Sequence, residues 1–399
     1  MRFEFPIRLA HVLAVALFLS TIAFSQEPQP TPLSQPSGEP HYVTNSDYEA
    51  LTRRAGRVRP EDVSGLEKRA TNGDLDSQLL LATLDRAGCG VVKPDPVASL
   101  EWYHKAADQG SSIAANEIGN HQKTLGNDKA DALRWYRRAA ELLDAVGEHN
   151  LGMLLAESRS PEAATWLRRS AEHGNDLAVE ELMKLYNQGT ADPQKSLEEN
   201  RREGLILLQS WAGQGRAAAQ VELALSYWME QLGLKKDLTL AFQWMRKAAD
   251  KSPEAEALLG QFYNAGIGTE PNVQEAVQWY RKAAEHGHWR GQMNLAIRYE
   301  QGRGVDKDPA QAVRWFESAA QHNYADAMYH LAHMYESGHG VPKDKITALM
   351  WFILAEQAGG LNQVPPEYSN SSVFRNPSQR DFQEAKRRGE VWWEQHACR

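Results

Sequence analysis

Along most of the chain, apolar and small residues recur at steps of three and four. In Ala276-x-x-Trp279-x-x-x-Ala283 that spacing sets all three residues on one side of a helix. Ala312, Trp315 and Ala319 repeat the pattern, as do Ala348, Trp351 and Ala355. Tryptophan marks the period: Trp102, Trp135, Trp166, Trp211, Trp244, Trp279, Trp315 and Trp351 follow one another at about 35 residues, with one longer step before Trp211. An apolar residue or alanine comes next (Tyr103, Tyr136, Leu167, Ala212, Met245, Tyr280, Phe316, Phe352), and often a basic residue with two alanines, as in Lys282-Ala283-Ala284. Because apolar helical stripes are normally buried, the tryptophans are expected in the core. Gly110, Gly174, Gly287 and Gly359 are placed to close these helices in the left-handed conformation.

A second pattern precedes each tryptophan helix. It reads Ala255, Leu259, Gly260, Tyr263, then Gly291, Leu295, Ala296, Tyr299, then Ala327, Leu331, Ala332, Tyr335. It predicts another helix with one packed stripe. Between the two lie Gly266-x-Gly268, Gly302-x-Gly304 and Gly338-x-Gly340, with Asp308 and Asp344 placed to cap the helix that follows. Each unit is thus a helical hairpin with two faces to bury. One hairpin cannot bury both, so neighbours must stack. The fold class this predicts is all-α, an α-solenoid of about eight hairpins.

The Leu-Gly/Ala-x-x-Tyr, Gly-x-Gly-Val and Ala-x-x-Trp-Tyr/Phe-x-Lys-Ala-Ala elements resemble the Sel-1-like repeat, a relative of the tetratricopeptide repeat. The likeness is strong from Ala255 to Gly359, good from Ser77 to Gly110 and degraded between Ala114 and Pro253. There the turn glycines are missing after Asn116, and extra charge runs from Ser196 to Gly204. The resemblance implies a scaffold or adaptor whose first helices line a concave face. Residues between the packed positions of those helices differ from unit to unit, which makes Asn294, Arg298, His330 and His333 the candidate partner contacts.

The ends break the pattern. Arg2 and Arg8 flank a positive start, an apolar run spans Leu9–Ile22, and Ala23-Phe24-Ser25 offers small residues for a signal peptidase. Residues 1–25 are therefore expected to direct export, with cleavage after Ser25 and a periplasmic or secreted mature chain. An uncleaved anchor is the alternative, although the run is shorter than the roughly 20 residues a spanning helix needs. Residues 26–45 form a proline-rich spacer, 46–76 capping helices, 77–360 the repeat array, and 361–399 a loop followed by a helix carrying Phe382, Ala385 and Trp392.

Composition narrows the function. A hydrophobic share of 42% with 24% charged residues is ordinary for a soluble chain, and the net charge of −8 disfavours nucleic acid, which demands basic patches. Of the 2 cysteines, Cys89 and Cys398 sit near opposite ends of the array. Two unpaired thiols are favoured, since a bridge needs α-carbons within roughly 7 Å. A long-range or an intermolecular bridge stays open.

No Ser-x-x-Lys nucleophile and no His-Glu-x-x-His zinc motif occur. The resemblance raises a beta-lactam-binding or hydrolysing alternative, because cysteine-rich secreted members of the family are linked to it, but this chain lacks their paired cysteines. A luminal quality-control adaptor is a third reading, with Asn370-Ser371-Ser372 as one glycan acceptor pattern. His330 and His333, with His322 and His339 near, lack an evident further ligand, so no metal is expected. The Gly-x-Gly turns follow helices and recur with the repeat, which excludes a phosphate loop. The chain thus reads as a non-enzymatic, cofactor-free, exported scaffold for a protein or peptide partner.

Overall fold

The computed structural model describes residues 42–89, 91–359, 373 and 377–396. The segment expected to direct export, the proline-rich stretch through residue 41, most of the 361–377 loop, Asn370 and Cys398 lie outside the described residues. Apart from one isolated bridge between Val43 and Asp144, the regular structure described is helical.

The described chain divides into two compact units, one ending at Lys236 and the other running from Asp237 to His396. The first unit begins with α1 (Asn45–Ala55), a 3-10 turn at Pro60–Asp62, and α2 (Val63–Thr71). Four hairpins follow: α3 (Leu75–Ala87) with α4 (Pro96–Asp108), α5 (Ser112–Thr124) with α6 (Lys129–Glu141), α7 (Ala145–Glu157) with α8 (Ala163–Glu172), and α9 (Leu177–Gln188) with α10 (Leu197–Gly213). Helix α11 (Ala217–Met229) ends this unit. The second unit opens on α12 (Leu238–Ala249). It continues with α13 (Pro253–Ala265) and α14 (Val273–Glu285), α15 (Trp289–Gln301) and α16 (Pro309–Ala320), α17 (Ala325–Ser337) and α18 (Lys345–Gly359), then α19 (Gln379–His396).

Short polar side chains start most of these helices. Asp95, Asp128, Asp144, Asp237, Asn272 and Asp308 each accept from backbone N–H groups of the first turn. Asp344 likewise accepts from the N–H groups of Ile346 and Thr347. Such a cap contributes about 1 kcal/mol. Gly110, Gly174 and Gly287 end their helices with φ of 90°, 95° and 81°, as the pattern predicts. Gly359 departs from it, being the last residue of α18 and absent from the left-handed set. In the Gly-x-Gly turns both glycines are left-handed, and the second also meets the preceding hairpin. A Cβ at Gly268 would sit 1.9 Å from the Leu238 carbonyl oxygen, and one at Gly340 2.4 Å from that of Pro309. Those turns need glycine for shape and for space.

In most hairpins the core centres on the residue after the tryptophan. Tyr136, Leu167, Met245, Tyr280 and Phe316 are fully buried. A glycine on the first helix makes room for them: a Cβ at Gly119 would lie 2.6 Å from the Tyr136 ring, and one at Gly260 2.6 Å from the Tyr280 ring. The expectation that the tryptophans form the core holds for Trp211 and Trp351. It fails for Trp102, Trp135, Trp166, Trp244, Trp279 and Trp315, which are half-buried. Two stripes overlap on this helix. Ala276, Tyr280 and Ala283, at steps of four and three, fit helical geometry as well as Ala276, Trp279 and Ala283 do, and packing selects the tyrosine. All of these half-buried indoles but that of Trp315 are instead covered by a cation. Lys105, Arg138, Arg169, Lys247 and Lys282 each lie over the tryptophan three residues before, at 3.8, 5.2, 4.5, 4.2 and 4.0 Å from the ring centroid.

Cys89 is disulfide-bonded, against the expectation of an unpaired thiol. Separation along a sequence does not fix separation in space, which is what a disulfide requires.

Candidate polypeptide-binding groove

First helices of successive hairpins touch one another, α5 with α7, α7 with α9, α9 with α11, and α13 with α15, whereas second helices stay farther apart. The first helices thus share one side of each unit, here called the inner side, which the resemblance implies is the concave one.

In the first unit a stretch of the chain itself crosses that side. Val43 donates its N–H to the Leu143 carbonyl and accepts from the Ala145 N–H, both at 2.9 Å. One residue earlier, Tyr42 stacks on His173 with ring centroids 3.6 Å apart. Asn45 Nδ2 donates to Asn175 Oδ1 at 3.1 Å. The chain then turns into α1 through a capping box made by Thr44 and Asp47, and α1 packs on α3 through its apolar side, with Leu51 and Ala55 buried.

Tyr48 is the deepest anchor. It is 3% exposed, and its hydroxyl donates to Asp144 Oδ2 at 2.7 Å. The other Asp144 oxygen accepts from the N–H groups of Val146 and Gly147, and Ser112 is a further partner. Burial pushes the Asp144 carboxyl up to about 7 against the pull of these donors. Burial, then the nearby Asp144 charge, raises the Tyr48 phenol well above its usual value. Asn116 and Glu117 on α5 reach the same pocket. Glu117 pairs with Arg86 at 2.9 Å, with 4% and 17% of their side chains exposed. Removing one member of such a buried pair costs about 3–5 kcal/mol.

An asparagine ladder joins the helices beside this pocket. Asn150 Nδ2 donates to Asn116 Oδ1 at 2.9 Å, and the Tyr136 hydroxyl donates to Asn120 Oδ1 at 2.8 Å. First helices are also tied to the far ends of their own partner helices. Glu148 meets His173 and Glu256 meets His286, each at 2.7 Å, and Gln109 Nε2 donates to Gln78 Oε1 at 2.7 Å.

The four residues singled out from the sequence all lie on first helices of the second unit, α15 and α17. They are not alike. Arg298 is 7% exposed, and its guanidinium lies 5.8 Å from the Tyr280 ring centroid. It packs against the Tyr280 ring of α14 instead of reaching solvent. Asn294 is half-buried and donates to the Arg290 carbonyl at 2.9 Å. His330 stacks on Phe316 at 4.5 Å and faces Glu300 at 3.6 Å. His333 is exposed. The Tyr48 pocket escaped sequence reasoning altogether. Its parts, Tyr48, Asn116, Glu117 and Asp144, are spread over nearly a hundred residues with no shared motif. The one available signal was the amphipathic 46–56 stretch, read as a cap.

Among the described residues no three His, Cys, Asp or Glu side chains gather as a metal site, and no helix is long and apolar enough to cross a membrane.

The Sel1 repeat profile matches residues 75–111, 121–142, 147–175, 217–252, 253–288, 289–324 and 325–360. The unmatched α9–α10 hairpin is where sequence likeness is weakest, although it folds as the others do. An F-box protein of Arabidopsis thaliana is 36% identical over 26% of this chain and 30% of its own length. The ERAD-associated E3 ubiquitin-protein ligase component HRD3A of the same plant is 32% identical over 53% of this chain and 28% of its own. The chain thus spans about a third of the length of these curated relatives. A protective antigen of uropathogenic Escherichia coli, whose crystal structure displays an SLR fold, is 27% identical, with 88% of this chain and 76% of that one covered and a TM-score of 0.45.

Proposed function

The chain belongs to the Sel1 repeat family, whose repeats build protein-binding scaffolds, and from that premise we propose that it is an exported adaptor holding a segment of a partner protein along its first helices. One observation carries this reading: a polypeptide segment, residues 42–55, already lies on that side of the first unit, held by backbone pairing, ring stacking and a buried tyrosine. Support for export comes from the N-terminal charge and apolar run, and from the disulfide at Cys89, which suits an oxidising compartment. On the second unit, taken by itself, Asn294, His330 and His333 are the proposed contacts, with Arg298 supporting them from beneath.

Site-specific photo-crosslinking in the producing cell tests the reading. A photoreactive residue at Asn120 or His333 samples the inner side, and one at Val97 or Ile206, exposed on second helices, samples the outer side. A defined partner is expected from the inner positions. Adducts confined to Val97 and Ile206 overturn the proposal.

A further inference from the structure

We infer that residues 42–55 are an exchangeable placeholder, and that the groove they occupy takes from a partner protein a segment of the same chemistry: extended, then helical, anchored by a tyrosine. This rests on the scaffold reading above and specifies its partner.

Residues 42–55 do not serve as the cap of the stack. Helix α2 already closes that end: Gln78 Nε2 on α3 donates to the Ala70 carbonyl of α2 at 3.0 Å, and Arg69 donates to Ser77 at 3.2 Å. The connection from Gly56 to Asp62 buries none of its side chains. The segment is thus tethered to the fold by a strap with no core of its own.

What holds the segment divides into two kinds of contact. The paired Val43 N–H and carbonyl are backbone groups, so any residue but proline makes those bonds, and they set register without regard to sequence. Specificity falls on the side chains. Tyr48 satisfies a carboxylate that is 0% exposed, and an aromatic ring without a hydroxyl would leave that carboxylate short of a donor. Leu51 and Ala55 follow at three and seven residues, on the same side of α1, and are buried. Counted from the pairing residue, the groove reads an aromatic just before it, tyrosine five after, leucine eight after and a small residue twelve after. A tethered segment competes at an effective concentration near the millimolar range, so an incoming one must match its anchors or gain from further contacts along the inner side.

The experiment uses full chains and a labelled peptide with the sequence of residues 42–55. In the variant Tyr48→Ala with Leu51→Ala the tethered segment is released, and saturable peptide binding is expected, at least about tenfold tighter than to the native chain. A peptide carrying Tyr48→Phe should bind that variant about tenfold more weakly. Val43→Pro removes one backbone donor, leaves both anchors in place, and should open the native groove to the peptide to a smaller extent. Binding to none of the three chains, equal binding to native and variant chains, or loss of the cooperative helical melt in both variants overturns the inference. So does a concentration-dependent dimer that consumes the groove, which would make a second copy the occupant. Inner-side crosslinks that persist while the peptide fails to bind would overturn this inference and leave the scaffold reading standing.

Discussion

Truncation of Phe316 to alanine should destabilise the second unit more than truncation of its neighbour Trp315, although tryptophan is the larger residue and marks the repeat. Phe316 is fully buried among Ala312, Ala319, Leu331 and Met334, with His330 stacked on one face at 4.5 Å. Removing such a ring costs about 3–5 kcal/mol, through lost transfer energy and the cavity left behind. Trp315 is half-buried and packs against the edge of the same cluster. Water already reaches part of its indole, and the space left by truncation opens to solvent. Its loss should therefore cost about half as much, roughly 1.5–2.5 kcal/mol. Equilibrium urea unfolding of each full-length variant, followed by circular dichroism, gives the two midpoints at unchanged m. Equal or reversed costs would show that the core is centred on the tryptophan, and the account of two competing stripes would fall.

Further outcomes follow from the same structure. Asp144 has a folded pKa near 7, above the ordinary 3.8. The stability it contributes is complete below that lower value and is lost as pH rises through 7, by at most about 1.4 kcal/mol per pH unit. Hydrogen exchange around Tyr48, corrected for intrinsic rate, should be slower at pH 5.5 than at pH 8. His288 is the opposite case: burial, with Arg290 and His322 near, pushes it down to about 4. Its contribution is complete above pH 6.5 and disappears as pH falls toward 4, so exchange at the start of α15 should quicken on acidification. Gly260→Ala gains about 1 kcal/mol of helix propensity but forces a Cβ to 2.6 Å from a fully buried Tyr280 ring, so a net loss of about 1–2 kcal/mol is expected in thermal melts. Gly213→Ala, with nothing within 4 Å, should be neutral or stabilising. Finally, Cys89 should resist alkylation in mass spectrometry until a reductant is added.

The helices, their pairing and the repeat were legible because the hairpin is a local object. Its signals are spaced within about 35 residues: small and large residues at steps of three and four, an aspartate at the start of a helix, glycine at its turn. Gly268 and Gly340 could be marked as turn residues from their recurrence alone. Which of two adjacent aromatics enters the core was not legible. Trp279 and Tyr280 fit the same periodicity, and only the approach of Gly260 on the neighbouring helix decides between them. The burial of Arg298 escaped for the same reason, since a charged residue between packed positions reads as surface until a ring such as Tyr280 is brought beside it. The groove lay furthest beyond the sequence. Tyr48 and Asp144 meet across 96 residues, and no local spacing encodes that meeting. The sequence by itself determined the repeating unit, because each unit's contacts are near in the chain. The tertiary structure decided what the stacked units hold, because that surface exists only once distant hairpins lie side by side.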